Sequence, residues 1–218
     1  MAAALPELRT ATVPAGRLLY RAYAAPYGYD EHNPVGNARF SPFDDPAAGA
    51  RIPAMYLAQD RSATLLESVF HDIDDLSSDP VDRIIYEQSL LGTLLAHIRT
   101  PAPAILGDLR NDELGRLGLE RSATVSSPSE HYPCTRRLAV QAVNRTHHGT
   151  YLDGLIWHSR KAELIGRAAM EVMVLFGHRY HPARGSWSLV APGVQNLWEG
   201  AGPELVDEVA TLLRATVV

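Results

Sequence analysis

The chain has 218 residues, is 46% hydrophobic and 21% charged, and carries a formal net charge of −5 at pH 7. That length suits one domain with a sizeable core, and the charge provides no broad basic field, which argues against direct nucleic-acid binding. Cys134 is the one cysteine, so an intrachain disulfide and a cysteine-rich zinc site are excluded and a reducing cytoplasm is expected.

Met1 to Leu8 carries Glu7 and lacks the basic start and apolar stretch of a signal peptide. No apolar run approaches the roughly 20 residues of a membrane helix, so neither export nor a membrane partner is expected. Residues 1–16 read as an N-terminal extension and 17–218 as a single catalytic domain, with 179–218 a C-terminal segment and helix packed on it.

Arg17 to Tyr23 reads as a strand in which Leu19, Arg21 and Tyr23 share one side. Arg21 then points where a ligand or an acid could meet it. From Pro26 to Gly49 the chain is rich in Gly, Pro, Asn and Asp, the mark of a long loop. Ile52 to Leu57, with Tyr56, reads as a short strand leading into a helix opened by Asp60 or Ser62. That helix places Ala63, Leu66, Val69 and Phe70 on one face, with Glu67 at its edge.

A polar stretch follows from Asp72 to Asp82, then strands over Arg83–Glu87 and Thr93–Arg99. Asn111 is expected to cap a short helix, and Ser122 to Glu130 to form a surface loop. Thr135 to Thr146 has helical spacing of Leu138, Ala139, Ala142 and Val143. Gly154–Ser159 and Glu171–Phe176 are strands separated by a charged connection from Arg160 to Arg167. Pro203, with Leu205, Val209, Leu212 and Leu213 behind it, makes the C-terminus an amphipathic helix. Short strands outnumber helices without strict alternation, so the fold class is α+β.

Arg21, Glu67 and Ser159 are polar groups in or beside segments that otherwise read as core. Arg39 adds a cation in the loop Gly36-Asn37-Ala38-Arg39-Phe40-Ser41-Pro42, where Gly36 permits close backbone approach. Arginine suits a pyrophosphate through paired charge-assisted bonds, and a carboxylate suits a sugar carbon that turns positive as its base departs. Bland explanations stand beside these. Arg21 and Glu67 could be a buried ion pair, Ser159 could end a strand, and Tyr56 could be a core tyrosine. His147, His148, His178 and His181 lack supporting acids or cysteines and read as solvated, so no metal is expected. Cys134 reads as an apolar filler. No glycine-rich dinucleotide or phosphate-loop motif is present.

In order, these pieces resemble the RES domain family, named for Arg, Glu and Ser. Leu19-Tyr20-Arg21 resembles its first arginine motif and Gly36 to Pro42 its glycine-arginine loop, with Asn37-Ala38 in place of a glycine pair. Met55 to Ala58, followed by Ala63 to Glu67, resembles the tyrosine strand and glutamate helix. Tyr132 to Thr135, Leu138-Ala139, Asp153 to Ser159 and Val174 to Phe176 resemble the later blocks.

The resemblance implies an ADP-ribosyltransferase-like single domain with a central split, mostly antiparallel sheet flanked by helices. It also implies cleavage of the nicotinamide–ribose bond of NAD+, with water, inorganic phosphate or a protein as acceptor, by the toxin of a toxin–antitoxin pair. NAD+ is then substrate, no cofactor is bound permanently, and the protein partner is a helix-turn-helix, Xre-like antitoxin. Glu67, Arg21 and Ser159 would be catalytic; Arg39, Tyr56, Tyr20 and Gly36 would bind substrate.

Overall fold

A computed structural model describes residues 8–45, 47, 49–71, 73, 83–183 and 185–218. The strands in chain order are β1 (Thr10–Val13), β2 (Leu18–Ala24), β3 (Phe43–Asp44), β4 (Arg51–Ile52), β5 (Ala54–Ala58), β6 (Ile84–Ile85) and β7 (Thr93–Arg99). They continue with β8 (Ala104–Asp108), β9 (Thr146–His147), β10 (Thr150–Tyr151), β11 (Gly154–His158), β12 (Glu171–Phe176), β13 (Ser188–Asn196) and β14 (Thr216–Val217). The helices are α1 (Arg61–Leu66), α2 (Asn111–Arg116), α3 (Tyr132–Val143), α4 (Arg160–Leu164) and α5 (Gly202–Leu213).

Eight strands form one sheet in the order β1-β8-β11-β12-β5-β2-β7-β13. Every neighbouring pair is antiparallel except β11 and β8. The expected α+β class and mostly antiparallel sheet are therefore present. β2 pairs with β7 from Leu18 to Ala24, but with β5 only at Tyr20↔Ala58. Beyond that single pair the two halves of the sheet part.

The period of two along the strands sorts the core. Met55, Leu57, Ile156, Met173, Leu175, Leu19, Ala96 and Ile98 meet on one face with Tyr180 and Trp187. On the other face, Ala54, Ala58, Trp157, Val172, Val174 and Phe176 pack under Ala139, Ala142 and Val143 of α3 and under Phe40 and Phe43. The β7 half of that second face has its own cluster, in which Leu95 meets Leu65 and Leu66 of α1 and Leu205, Val209 and Leu213 of α5. The short α1 lies between these two clusters, above the split.

Several expectations are revised. Residues 10–13, assigned to an extension, form edge strand β1 because their backbone pairs with β8. The loop before β5 is not structureless: Phe40 and Phe43 are buried, and Asn33 bridges Ala54. Asn111 is the first residue of α2, and Arg110 stands at the cap. Residues 122–130 are not a plain surface loop, since Thr124, Val125 and Ser127 are buried. The charged connection after β11 is helix α4, capped by Ser159. Cys134 is exposed on α3, not a core filler. His178 is partly buried, with Nε2 3.5 Å from Asp45. The polar stretch 72–82, apart from Ile73, and residues 1–7 lie outside the described residues.

Gly154, the first residue of β11, meets β12 so closely that a Cβ would sit 1.8 Å from the Val174 carbonyl oxygen. Gly154→Ala forces two central strands apart, and we expect a loss of about 2–3 kcal/mol in urea unfolding with the slope unchanged.

Candidate active site

Asp60 starts α1 by accepting from the backbone N–H groups of Ser62 (2.8 Å) and Ala63 (3.2 Å). The regular helix ends at Leu66, a turn earlier than its apolar spacing suggests. The N–H groups of Ser68 and Phe70 both return to the Leu65 carbonyl, so the chain winds wide while Phe70 stays buried. Glu67 is consequently the C-cap residue, held at the end of a short, well-anchored helix.

Ser159 does two things with one hydroxyl. It accepts from Ala162 N (3.1 Å), capping α4, and donates to Glu67 Oε1 at 2.5 Å. Burial pushes the Glu67 carboxyl above its ordinary value, and the Ser159 bond and the charges of Arg39, Lys161 and His71 pull against that rise.

Arg39 is buried, and its Nη1 donates to Thr124 O (3.0 Å), Ser127 O (2.7 Å) and Ser127 Oγ (2.7 Å). Its guanidinium lies 5.2 Å from the Tyr132 ring centroid. Its backbone is pinned from α3, where Thr135 Oγ1 donates to Arg39 O, Arg136 Nε to Ala38 O (3.1 Å) and Arg136 Nη2 to Asn37 Oδ1. The Tyr56 hydroxyl accepts from Phe40 N (2.9 Å) and Ser41 Oγ (3.2 Å), and burial pushes its pKa up to about 12, so it remains protonated.

Arg39, Tyr56 and Glu67 border one cleft of about 250 Å³, lined also by Tyr132, Trp157 and Lys161 among others, while Ser159 is buried and reaches the cleft only through Glu67. A neighbouring hollow of about 410 Å³, rimmed by Ile84, Ile85 and Tyr86, shares Ala22, Ser68 and His71 with it. Ala22 of β2 and Tyr56 of β5 face each other across the parted strands, so the split in the sheet forms the floor of the site.

The structure brings together Arg39, Tyr56, Glu67 and Ser159 from widely separated stretches of sequence. It does not bring Arg21. That side chain lies on the opposite face of the sheet with Leu19, where Nη1 donates to Gly28 O (3.0 Å) and Tyr29 O (2.7 Å). Burial pushes its pKa down to about 10, and its charged neighbours are Asp30 and Glu31 rather than Glu67. The Arg21–Glu67 pairing and the catalytic placement of Arg21 are thus corrected.

Tyr20 packs edge-on against His97, with ring centroids 4.9 Å apart, and Gly36 is exposed with φ +126°. Neither borders the cleft. Sequence reasoning missed Tyr132, Trp157, His71 and Lys161 as lining groups. The signal for Lys161 was a serine able to cap a helix two residues earlier, in a segment read as a connection. Among the described residues no cluster of three or more His, Cys, Asp or Glu side chains could hold a metal ion, and no helix is long and apolar enough to cross a membrane.

Because the folded-state pKa of Glu67 is raised, this group's contribution to stability is complete below about 4.5 and is lost as pH rises through the folded value. Glu67→Gln removes that loss. The variant should melt above the wild type at neutral pH, and the advantage should shrink as pH falls toward 4.5, as followed by thermal denaturation. Ser159→Ala loses a helix cap and should cost about 1 kcal/mol in urea unfolding.

Comparison with known proteins yields no match among curated proteins. The fold is similar to a chain in the crystal structure of the M. tuberculosis MbcT–MbcA toxin–antitoxin complex. The TM-score is 0.55 at 17% identity, with 92% of each chain covered. A family model described as the RES domain matches residues 15–189, which include every group in the cleft. The chain belongs to the RES domain family.

Proposed function

We propose that this protein cleaves the bond between nicotinamide and ribose in NAD+, with Glu67 as the central catalytic group. The observation that carries the reading is a partly buried carboxylate held by Ser159 Oγ and flanked by the cations Arg39 and Lys161 at a cleft with an aromatic wall of Tyr56 and Trp157. Family membership supports it. The 250 Å³ cleft alone falls below the usual size of a small-molecule site, whereas cleft and adjoining hollow together fall within the roughly 300–1,000 Å³ range.

In this reading Arg39 meets phosphate oxygens of the dinucleotide, and Tyr56 and Trp157 flank the nicotinamide end. As the C1′–N bond breaks, its electron pair leaves with the nicotinamide ring, which becomes neutral. Positive charge passes to the ribose, where ionised Glu67 stabilises it. Water attack at C1′ gives ADP-ribose and a proton; attack by inorganic phosphate gives the 1-phosphate of ADP-ribose. Ser159 orients the carboxylate.

The partner we propose is an antitoxin that blocks this cleft, of the helix-turn-helix, Xre-like kind, in the cytoplasm. The fold's likeness to a chain of a toxin–antitoxin complex supports an antitoxin.

Purified protein mixed with NAD+ should release free nicotinamide, and Glu67→Gln should reduce the rate by at least about a hundredfold while remaining folded. Full activity in that variant would sink the assignment. Label from the adenylate half appearing on a macromolecule would instead mark a protein acceptor. Protonation of Glu67 removes the stabilising charge, so kcat/KM should fall on the acid side with a midpoint above 4.5, the ordinary carboxyl value.

A further inference from the structure

Lys161 is the second residue of α4, yet it is only 8% exposed. A buried ammonium must be hydrogen-bonded to remain charged. Its Nζ donates to the carbonyl of His71 and, at 2.7 Å, to the carbonyl of Ile73. Those carbonyls belong to the stretch that leaves Glu67. The start of α4 therefore grips the Glu67 segment twice: Ser159 takes the carboxylate, and Lys161 takes the backbone four and six residues beyond it.

Lys161 also borders the cleft and a second small cavity, in both cases beside Arg39 and Glu67. The titratable and hydrogen-bonding groups around Glu67 are Ser159, Arg160 and Lys161 from the start of α4, Arg39 from the loop before β3, Tyr56 from β5, Tyr132 from α3 and His71 from its own turn. Arg39 has its Nη1 engaged by Thr124 and Ser127. The ammonium of Lys161 is a compact point charge on a stem fixed by packing.

We propose that Lys161 is a positioning residue of the active site, which holds the backbone after Glu67 through His71 and Ile73 and acts, beside Arg39, as a fixed countercharge of the Glu67 carboxylate. The proposal rests on the NAD+-cleaving reading for its kinetic consequence, not for its electrostatic one. A Lys161 that merely ties α4 to the turn would be replaceable by any group satisfying its hydrogen-bond partners, the carbonyls of His71 and Ile73 among them. A countercharge would not be.

Three full-length variants separate these cases. Lys161→Met keeps bulk and loses charge, Lys161→Gln keeps amide donors without charge, and Lys161→Arg keeps charge with altered geometry. Nicotinamide release across pH, with thermal melting as the folding control, is the first readout. In Lys161→Gln, and in Lys161→Met if it folds, the acid limb of kcat/KM should move to higher pH. Activity at mildly acid pH should then drop about tenfold. Lys161→Arg should restore the wild-type limb even if kcat is lower.

Carboxyl ¹³C NMR titration of Glu67 in the same proteins is the second readout and needs no turnover. An unmoved Glu67 titration in the Gln variant overturns the countercharge, whatever the activity. Absence of nicotinamide release from wild type, with a Glu67 titration that moves, overturns the reaction but leaves Lys161's action on Glu67 standing.

Discussion

The single backbone pair between β2 and β5, Tyr20↔Ala58, is the constraint from which the rest of the molecule follows. Past that point β2 keeps its full register with β7 while β5 keeps its register with β12, so two well-paired half-sheets diverge. Main-chain groups along the gap lose strand partners and face a space that must be filled or lined. The short α1 fills part of it, with Leu65 and Leu66 in one core cluster and Ala63 in the other. What remains open is the cleft, and the C-terminal end of α1 delivers Glu67 to it.

A carboxylate in that place is expensive, because burial opposes its charge. The fold offsets this with a hydroxyl and cations brought from distant parts of the chain. Arg39 is itself held with more contacts than a loop arginine needs: three acceptors on one nitrogen, an aromatic ring beside the guanidinium, and backbone bonds from Thr135 and Arg136. Such over-determination means that the charge is in position before any ligand arrives. The stretch that locks Arg39 reads as polar surface in sequence, yet Thr124, Val125 and Ser127 are buried because it wraps this side chain.

β2 and β7 were legible from alternating residues, and β11 and β12 from short apolar, β-branched runs that are buried on both faces. The helix spacing of α3 and α5 was legible for the same kind of reason, a repeated apolar face. Edge strand β13 was not, since it carries Pro192 and a register shift between Leu189 and Val194 that erase the alternation. Short α4 was lost among charged residues. Its cap, Ser159, was visible as a residue but not as a cap, because capping depends on the backbone after it turning helical.

Arg21 and Arg39 show where local reasoning stops. Alternation correctly put Arg21 on the side of Leu19 and Tyr23, but a strand's period says nothing about which face of the finished sheet carries the site. The sequence by itself determined the α+β class, the principal strands and the family to which the order of its motifs belongs, and it singled out Glu67, Ser159 and Arg39 as candidates. Only the tertiary structure decided that Arg21 is spent on the carbonyls of Gly28 and Tyr29, while Arg39, Ser159 and Lys161 converge on Glu67. The physical reason is that burial, charge pairing and hydrogen-bond reach are properties of distance in space. Residues 28 and 92 positions apart along the chain acquire that distance only when the split sheet, α1 and α4 pack together.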